Sequence, residues 1–246
     1  MQDKSSYIFQ NIQESRSEMY KIGAGSALII LIIYLIDLVV VASNGLPPKT
    51  VAELFDLFQR NRLIGLLQAF SLDIIAATLH VPVFIALFFS LLKIQKSFAF
   101  LLMSVVFAFV GIAVYFSYNS VFSMVYLSDQ YAIASDAITK QQLLSAGHSF
   151  LSSFNANGTG SFMAFTLYGI AGILISIIMM KSPDYGRTIG VAGITGNALQ
   201  LGPPTGLYPD IWGKIDPFLI GIGGLFLMVW YWMIFIKLLA LAKKSE

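Results

Sequence analysis

The sequence predicts an all-α fold, a polytopic transmembrane bundle of six helices forming one membrane domain over 1–246. Three observations carry this. Apolar runs of about twenty residues recur along the chain, from Ser26-Ala-Leu-Ile-Ile-Leu-Ile-Ile-Tyr-Leu-Ile-Asp-Leu-Val-Val-Val41 to the stretch 217–239, and about 20 residues of helix cross a bilayer core. Lipid cannot bond an exposed backbone, so each run must close its own hydrogen bonds as a helix. The composition is 57% hydrophobic and 11% charged, with mean hydropathy +0.77, whereas about a quarter of a soluble domain is charged. Finally, basic residues are dense and sparse in alternate loops, as a chain that recrosses a membrane requires.

In order, the spans read as 23–43, 64–92, 98–127, 159–180, 188–206 and 217–239. The second and third exceed what a bilayer needs and are expected to tilt or to project beyond it. Ten basic residues (Lys4, Arg16, Lys21, Lys93, Lys96, Lys181, Arg187, Lys237, Lys243, Lys244) fall on one side and five (Lys49, Arg60, Arg62, Lys140, Lys214) on the other. The richer side is expected to be cytoplasmic, with both termini. Val40-Val41-Ala42 has the form of a cleavage site. The long polar stretch before the first span, and Asp37 inside it, argue instead for an uncleaved signal anchor.

Between the first two spans, Val51, Leu54, Phe55 and Phe58 recur at helical spacing, which predicts an amphipathic helix lying along the interface. A second helix, 139–154, is expected to end at Asn157-Gly158. Asn157-Gly158-Thr159 also matches a glycosylation acceptor. In the fifth span Gly186, Gly190, Gly193 and Asn197 form a stripe, with Gly196 and Gln200 beside it and Gly202-Pro203-Pro204 at its end. It reads either as a close packing face or as a discontinuous helix lining a transporter site. Comparison of 23–40 with 164–180 gives no repeat.

Titratable groups in hydrocarbon cost several kcal/mol, so each is a candidate functional residue. Asp37 stands in the first span, Asp73 and His80 in the second and Asn119 in the third. Asp73 and His80 share a helix face, with Ala76 and Ala77 between them, and Pro82 is expected to kink the helix at His80. By helix rise Asp37, Asp73, Asn119 and Asn197 lie about 9 to 14 Å from the outer ends of their spans. A shared outward cavity would join them; separate structural contacts are the alternative. Gln200, Tyr115 and Tyr118 complete the candidate ligand-binding set, with Phe122 on the same face as the two tyrosines. Tyr126, Tyr208, Trp212, Trp230 and Trp232 read as interfacial anchors. His148 reads as a solvated surface residue.

Several chemistries lack their parts. There is no cysteine, and the two histidines with Asp73 do not share a depth, so no metal site is expected. Gly158-Thr-Gly-Ser161 has no histidine to activate the serine. Gly221-Ile-Gly-Gly224 lacks the strand and lysine of a phosphate loop. No buried lysine could hold retinal. No cofactor and no catalytic residues are expected, and a net charge of +2 on scattered basic residues excludes a nucleic-acid surface.

From Tyr126 onward the chain resembles a family of bacterial six-helix membrane proteins of unknown function. The resemblance rests on Tyr126-Leu-Ser-Asp-Gln-Tyr-Ala132, the Leu143 to His148 helix with its Asn157-Gly-Thr159 stop, and Ile175-Ser-Ile-Ile-Met-Met-Lys-Ser182. Ile189-Gly-Val-Ala-Gly-Ile-Thr-Gly-Asn197 and Val229-Trp-Tyr-Trp-Met-Ile-Phe-Ile-Lys237 complete it. It implies a multi-pass protein of the bacterial inner or plasma membrane and six spans, but no activity. The expected partners are the lipid bilayer and a small polar or cationic molecule, bound or transported through the cavity. An accessory or regulatory subunit is the alternative, and the oligomeric state stays open.

Overall fold

The first apolar run holds no proline, and α1 (Lys4–Asn44) extends through it for 41 residues, about 60 Å at the helical rise. It stops where Gly45 takes a left-handed φ of +82° and Pro47-Pro48 follows. The computed structural model describes residues 4–94, 97–154, 158–201 and 211–245. After α1 come α2 (Val51–Arg60), α3 (Arg62–Gln68), α4 (Leu72–Leu91), α5 (Phe98–Tyr118), α6 (Val121–Ile133), α7 (Ala137–Phe154), α8 (Thr159–Met179), α9 (Arg187–Leu199) and α10 (Ile211–Lys244). No strand occurs among the described residues.

Five stretches are long and apolar enough to cross a membrane: Glu14–Asn44, Leu72–Leu91, Phe98–Ile133, Thr159–Met179 and Phe218–Lys244. The expected fifth span, 188–206, contains α9, whose 13 residues reach only about 20 Å; 202–206 lie outside the described residues, as do Asn157 and Tyr208.

Two spans expected to be continuous are broken. At 64–92 the chain leaves α3 through a left-handed turn: Phe70 N–H donates to Leu67 O (3.0 Å), Ser71 N–H donates to Leu66 O (3.1 Å), and Phe70 has φ +53°. This is the Schellman ending, with phenylalanine where glycine is usual. At 98–127 the break falls on Asn119, whose extended backbone (φ −65°, ψ 116°) ends α5 and whose Oδ1 accepts from Val121 N–H. Pro82, by contrast, leaves α4 unbroken from Leu72 to Leu91.

In the bundle, small residues let helices close. Gly23 of α1 meets Ala86 and the Pro82 carbonyl of α4; Gly111 of α5 sits under the Ala164 carbonyl of α8; and Ser104 Oγ donates to Ala171 O at 2.8 Å. Without a hydrophobic force between helices in lipid, such close contacts supply the association. α1 also runs against α10: Ser17 Oγ donates to Ala242 O (3.1 Å), and Tyr34 meets Tyr231 edge to face. The start of α1 and the end of α10 thus share one end of the bundle.

At the other end α2, α3, α6 and α7 form a small head. Thr50 caps α2 in a capping box with Glu53. The apolar stripe expected to lie on the membrane interface is instead inside the head: Val51, Leu54, Phe55 and Phe58 are buried with Met124, flanked by Leu144 and Leu151. Ser128 Oγ donates to Phe55 O (2.9 Å), Gln59 Nε2 donates to Asp129 (2.9 Å), and Arg62 pairs with Asp129. A sticky face on a helix with helical neighbours is used up by them before it meets lipid.

Candidate functional site

Between the head and the middle of the bundle, α1, α4, α5, α8 and α10 separate around a cavity of about 360 Å³, within the usual range of ligand pockets. Of the sequence candidates, Asp37, Asp73, His80, Tyr115 and Gln200 line it. Asp73 lies in the first turn of α4 because the chain breaks at Phe70, where the helix dipole favours negative charge. Asp37 lies on α1, and its Oδ1 is buried with no hydrogen-bond partner on the protein. Among the described residues no lysine or arginine lines the cavity.

His80 is 4% exposed. Its Nδ1 lies 2.5 Å from Ala76 O, and since a carbonyl only accepts, the proton sits on Nδ1. In the neutral ring Nε2 is then a lone-pair acceptor, buried and without a partner on the protein. The rings of Tyr168 and Tyr231 meet the imidazole edge to face at 4.6 and 5.4 Å, while their own hydroxyls bond each other at 3.0 Å. The wall is otherwise apolar or aromatic, with Phe70, Ala76, Ala77, Ile112 and Met228 among it.

The other candidates lie elsewhere. Asn119 ends α5 and reaches the cavity only through Tyr115, to whose hydroxyl its Nδ2 donates (2.8 Å). Tyr118 stacks edge on to Tyr115 and packs over Gly160. Asn197 is buried in the α8–α9 contact, against Gly172, with Nδ2 donating to Gly193 O (2.8 Å). Phe122 is exposed and lies beyond the break at Asn119, on α6. His148 is exposed on α7.

The glycine stripe resolves into two roles. Gly190, Gly193 and Gly196 press α9 onto α8 and α10, meeting Met180, Ser176 with Trp230, and Leu227 respectively. Gly186 instead precedes the helix with φ +82°, a conformation side chains resist. Trp230, expected at a boundary, is fully buried against Gly193; a glycine opposite leaves room for the indole. Pro203, Pro204 and the Trp212 side chain lie outside the described residues.

Sequence reasoning missed four aromatic lining residues, Tyr34, Phe70, Phe165 and Tyr168. Tyr34 stands three residues before Asp37, on the same helix face, and was findable by that spacing. Ser71 followed by Asp73 has the composition of a helix start, which marks the break beside Phe70. Nothing local marks Tyr168. A second cavity of about 110 Å³ lies under the head, lined by Pro47, Gln68, Ser120 and Met124, and Phe70 lines it too. Comparison with family models, curated proteins and solved structures finds no match to this chain.

Proposed function

We propose that this chain is a six-span protein of the bacterial cell membrane that binds, and in transport moves, a small cationic ligand through the cavity at Asp37 and Asp73. One observation carries the reading: Asp37 and His80, each with a buried acceptor atom that has no protein partner, line the same cavity as Asp73, and among the described residues no basic side chain lines it. Buried acceptors cost free energy until a donor meets them, and two carboxylates favour a donor that is positively charged. The phenol and phenyl rings around them suit the apolar body of such a cation, since aromatic faces attract positive charge. The accessory-subunit alternative read the glycine stripe of α9 as a partner or an intramolecular interface; α8 and α10 occupy that face, which supports the intramolecular use.

The test uses purified protein in detergent, titrated with alkylammonium chlorides and with the alcohols of equal length. Ammonium ions are expected to bind and raise Tm, alcohols are not, and Asp73→Asn with Asp37→Asn is expected to abolish the effect while leaving the fold intact. Equal affinity and equal pH dependence in wild type and Asp73→Asn would remove the carboxylate from the site. The ten-to-five basic asymmetry supports a cytoplasmic location for both termini and an outward head. Cysteines placed at Ser135 and Ser245 test this with an impermeant label on intact cells; labelling at 245 but not 135 reverses the orientation.

A further inference from the structure

The cavity's acceptors are not gathered at one point. Asp73 and His80 lie on one face of α4 seven residues apart, so their backbone positions are separated by about 10 Å along the helix axis. Both line the same space, and the α4 residues between them that also line it are alanines, Ala76 and Ala77. The absence of bulk there leaves a channel along the helix face, with Ile112 and Met228 among its apolar walls. Asp37 joins Asp73 among the cavity's lining, and His80 stands two turns deeper on α4, its Nε2 buried and unpartnered. Neither tyrosine beside His80 satisfies it: their hydroxyls pair with each other and Nε2 is left without a partner.

Resting on the cation-binding reading above, we infer that the ligand is a linear two-headed molecule, an α,ω-diamine or an amino alcohol. One end is an ammonium ion held at Asp37 and Asp73; the other is an N–H or O–H group that donates to His80 Nε2; an alkyl chain between them lies over Ala76 and Ala77. A simple alkylamine satisfies only the first end and leaves the imidazole acceptor without a donor, which a ligand of the correct length corrects. This assigns His80 a specificity role rather than a catalytic one.

The experiment measures the affinity of the purified full chain for α,ω-diamines of four to ten carbons and for n-alkylamines of the same lengths. One intermediate diamine length is expected to bind about tenfold more tightly than the matched alkylamine, the size of one hydrogen bond to or from a charged group. His80→Phe, which keeps an aromatic ring for Tyr168 and Tyr231 but has no acceptor, is expected to erase that preference while leaving alkylamine affinity within about threefold. If alkylamines match diamines at every length, or if His80→Phe keeps the preference, the two-headed ligand is excluded while cation binding stands. If neither class binds, the cation reading fails and this one with it. The length series in the wild-type chain needs no variant, so it decides the question even where His80→Phe does not fold.

Discussion

Asn197 and Asp73 are both polar residues that the sequence places in apolar surroundings, and the fold treats them in opposite ways. Asn197 faces Gly172 across the α8–α9 contact and gives its amide proton to Gly193 O, inside a seam that glycines have closed. Asp73 faces space, because α4 starts only after the break at Phe70. Small residues neighbour both. Where a second helix runs alongside, as α8 and α10 do for α9, small residues remove space. Where the residue's own helix has just been interrupted, as α3–α4 is before Asp73, the small residues Ala76 and Ala77 border space instead. Residue type therefore does not separate a packing polar group from a cavity-lining one; the continuity of the helices around it does.

The seam is the easier half to break. Gly193→Leu drives a side chain into Ser176 Oγ and the Trp230 indole and is expected to destabilise by about 3 kcal/mol or more. Ala113→Leu, on the exposed face of α5, is expected to stay within about 0.5 kcal/mol. Equal thermal unfolding in detergent would place the stripe against lipid. One step smaller, Asn197→Ala opens the seam and removes a buried hydrogen bond, costing about 1–2 kcal/mol, while Asp73→Asn is expected to leave Tm unchanged or higher because the residue lines the cavity and not a closed seam. A matching loss in both variants would mean that Asp73 is as structural as Asn197.

The break itself can be probed at Phe70. Phe70→Ala and Phe70→Gly both remove the ring, and differ in whether a Cβ must occupy the left-handed turn. The glycine variant is expected to be more stable than the alanine variant by about 1 kcal/mol in the same unfolding assay. Equal stabilities would show that the turn relaxes and that the cavity's edge is not fixed there. The smallest effect concerns the head. Glu53 accepts hydrogen bonds from the backbone N–H groups of Thr50 and Lys49, which hold its carboxyl below the usual range, and Thr139 N–H acts likewise on Asp136. Lowered carboxyl pKa values add stability that is present above the unfolded-state pKa and lost as pH falls through the folded one. Acidification is therefore expected to loosen the head, followed by amide exchange in α2, and Glu53→Gln is expected to flatten that dependence.

Five apolar membrane-length stretches, the helix at 139–154 and the close packing of α9 were legible because helical periodicity and length are local properties. The breaks at Phe70 and Asn119 were hidden, since hydropathy averages over them while the turn signals are one or two residues long. The same blindness moved Asn119 out of its expected span and into a cap. Asp37, Asp73 and His80 were legible as costly residues in apolar runs, and Tyr34 by its spacing. Tyr168, brought to His80 by the packing of α8 against α5 and α9, carries no mark of that role in its own neighbourhood. The burial of α2 was misjudged for a related reason: an apolar stripe reports that something covers it, not what.

The bond between Ser17 and Ala242 closes a loop of 225 residues, so in a chain made at about 5–20 residues per second α1 waits about 10 to 45 s for its partner helix. During that interval Gly23 lacks Leu238, Tyr34 lacks Tyr231, and the imidazole of His80 lacks one of its two tyrosine neighbours. Met228 and Leu225 of the cavity wall arrive in the same late helix. The cavity wall is thus completed only by α10, and a chain interrupted before it carries both carboxylates without that part of their enclosure.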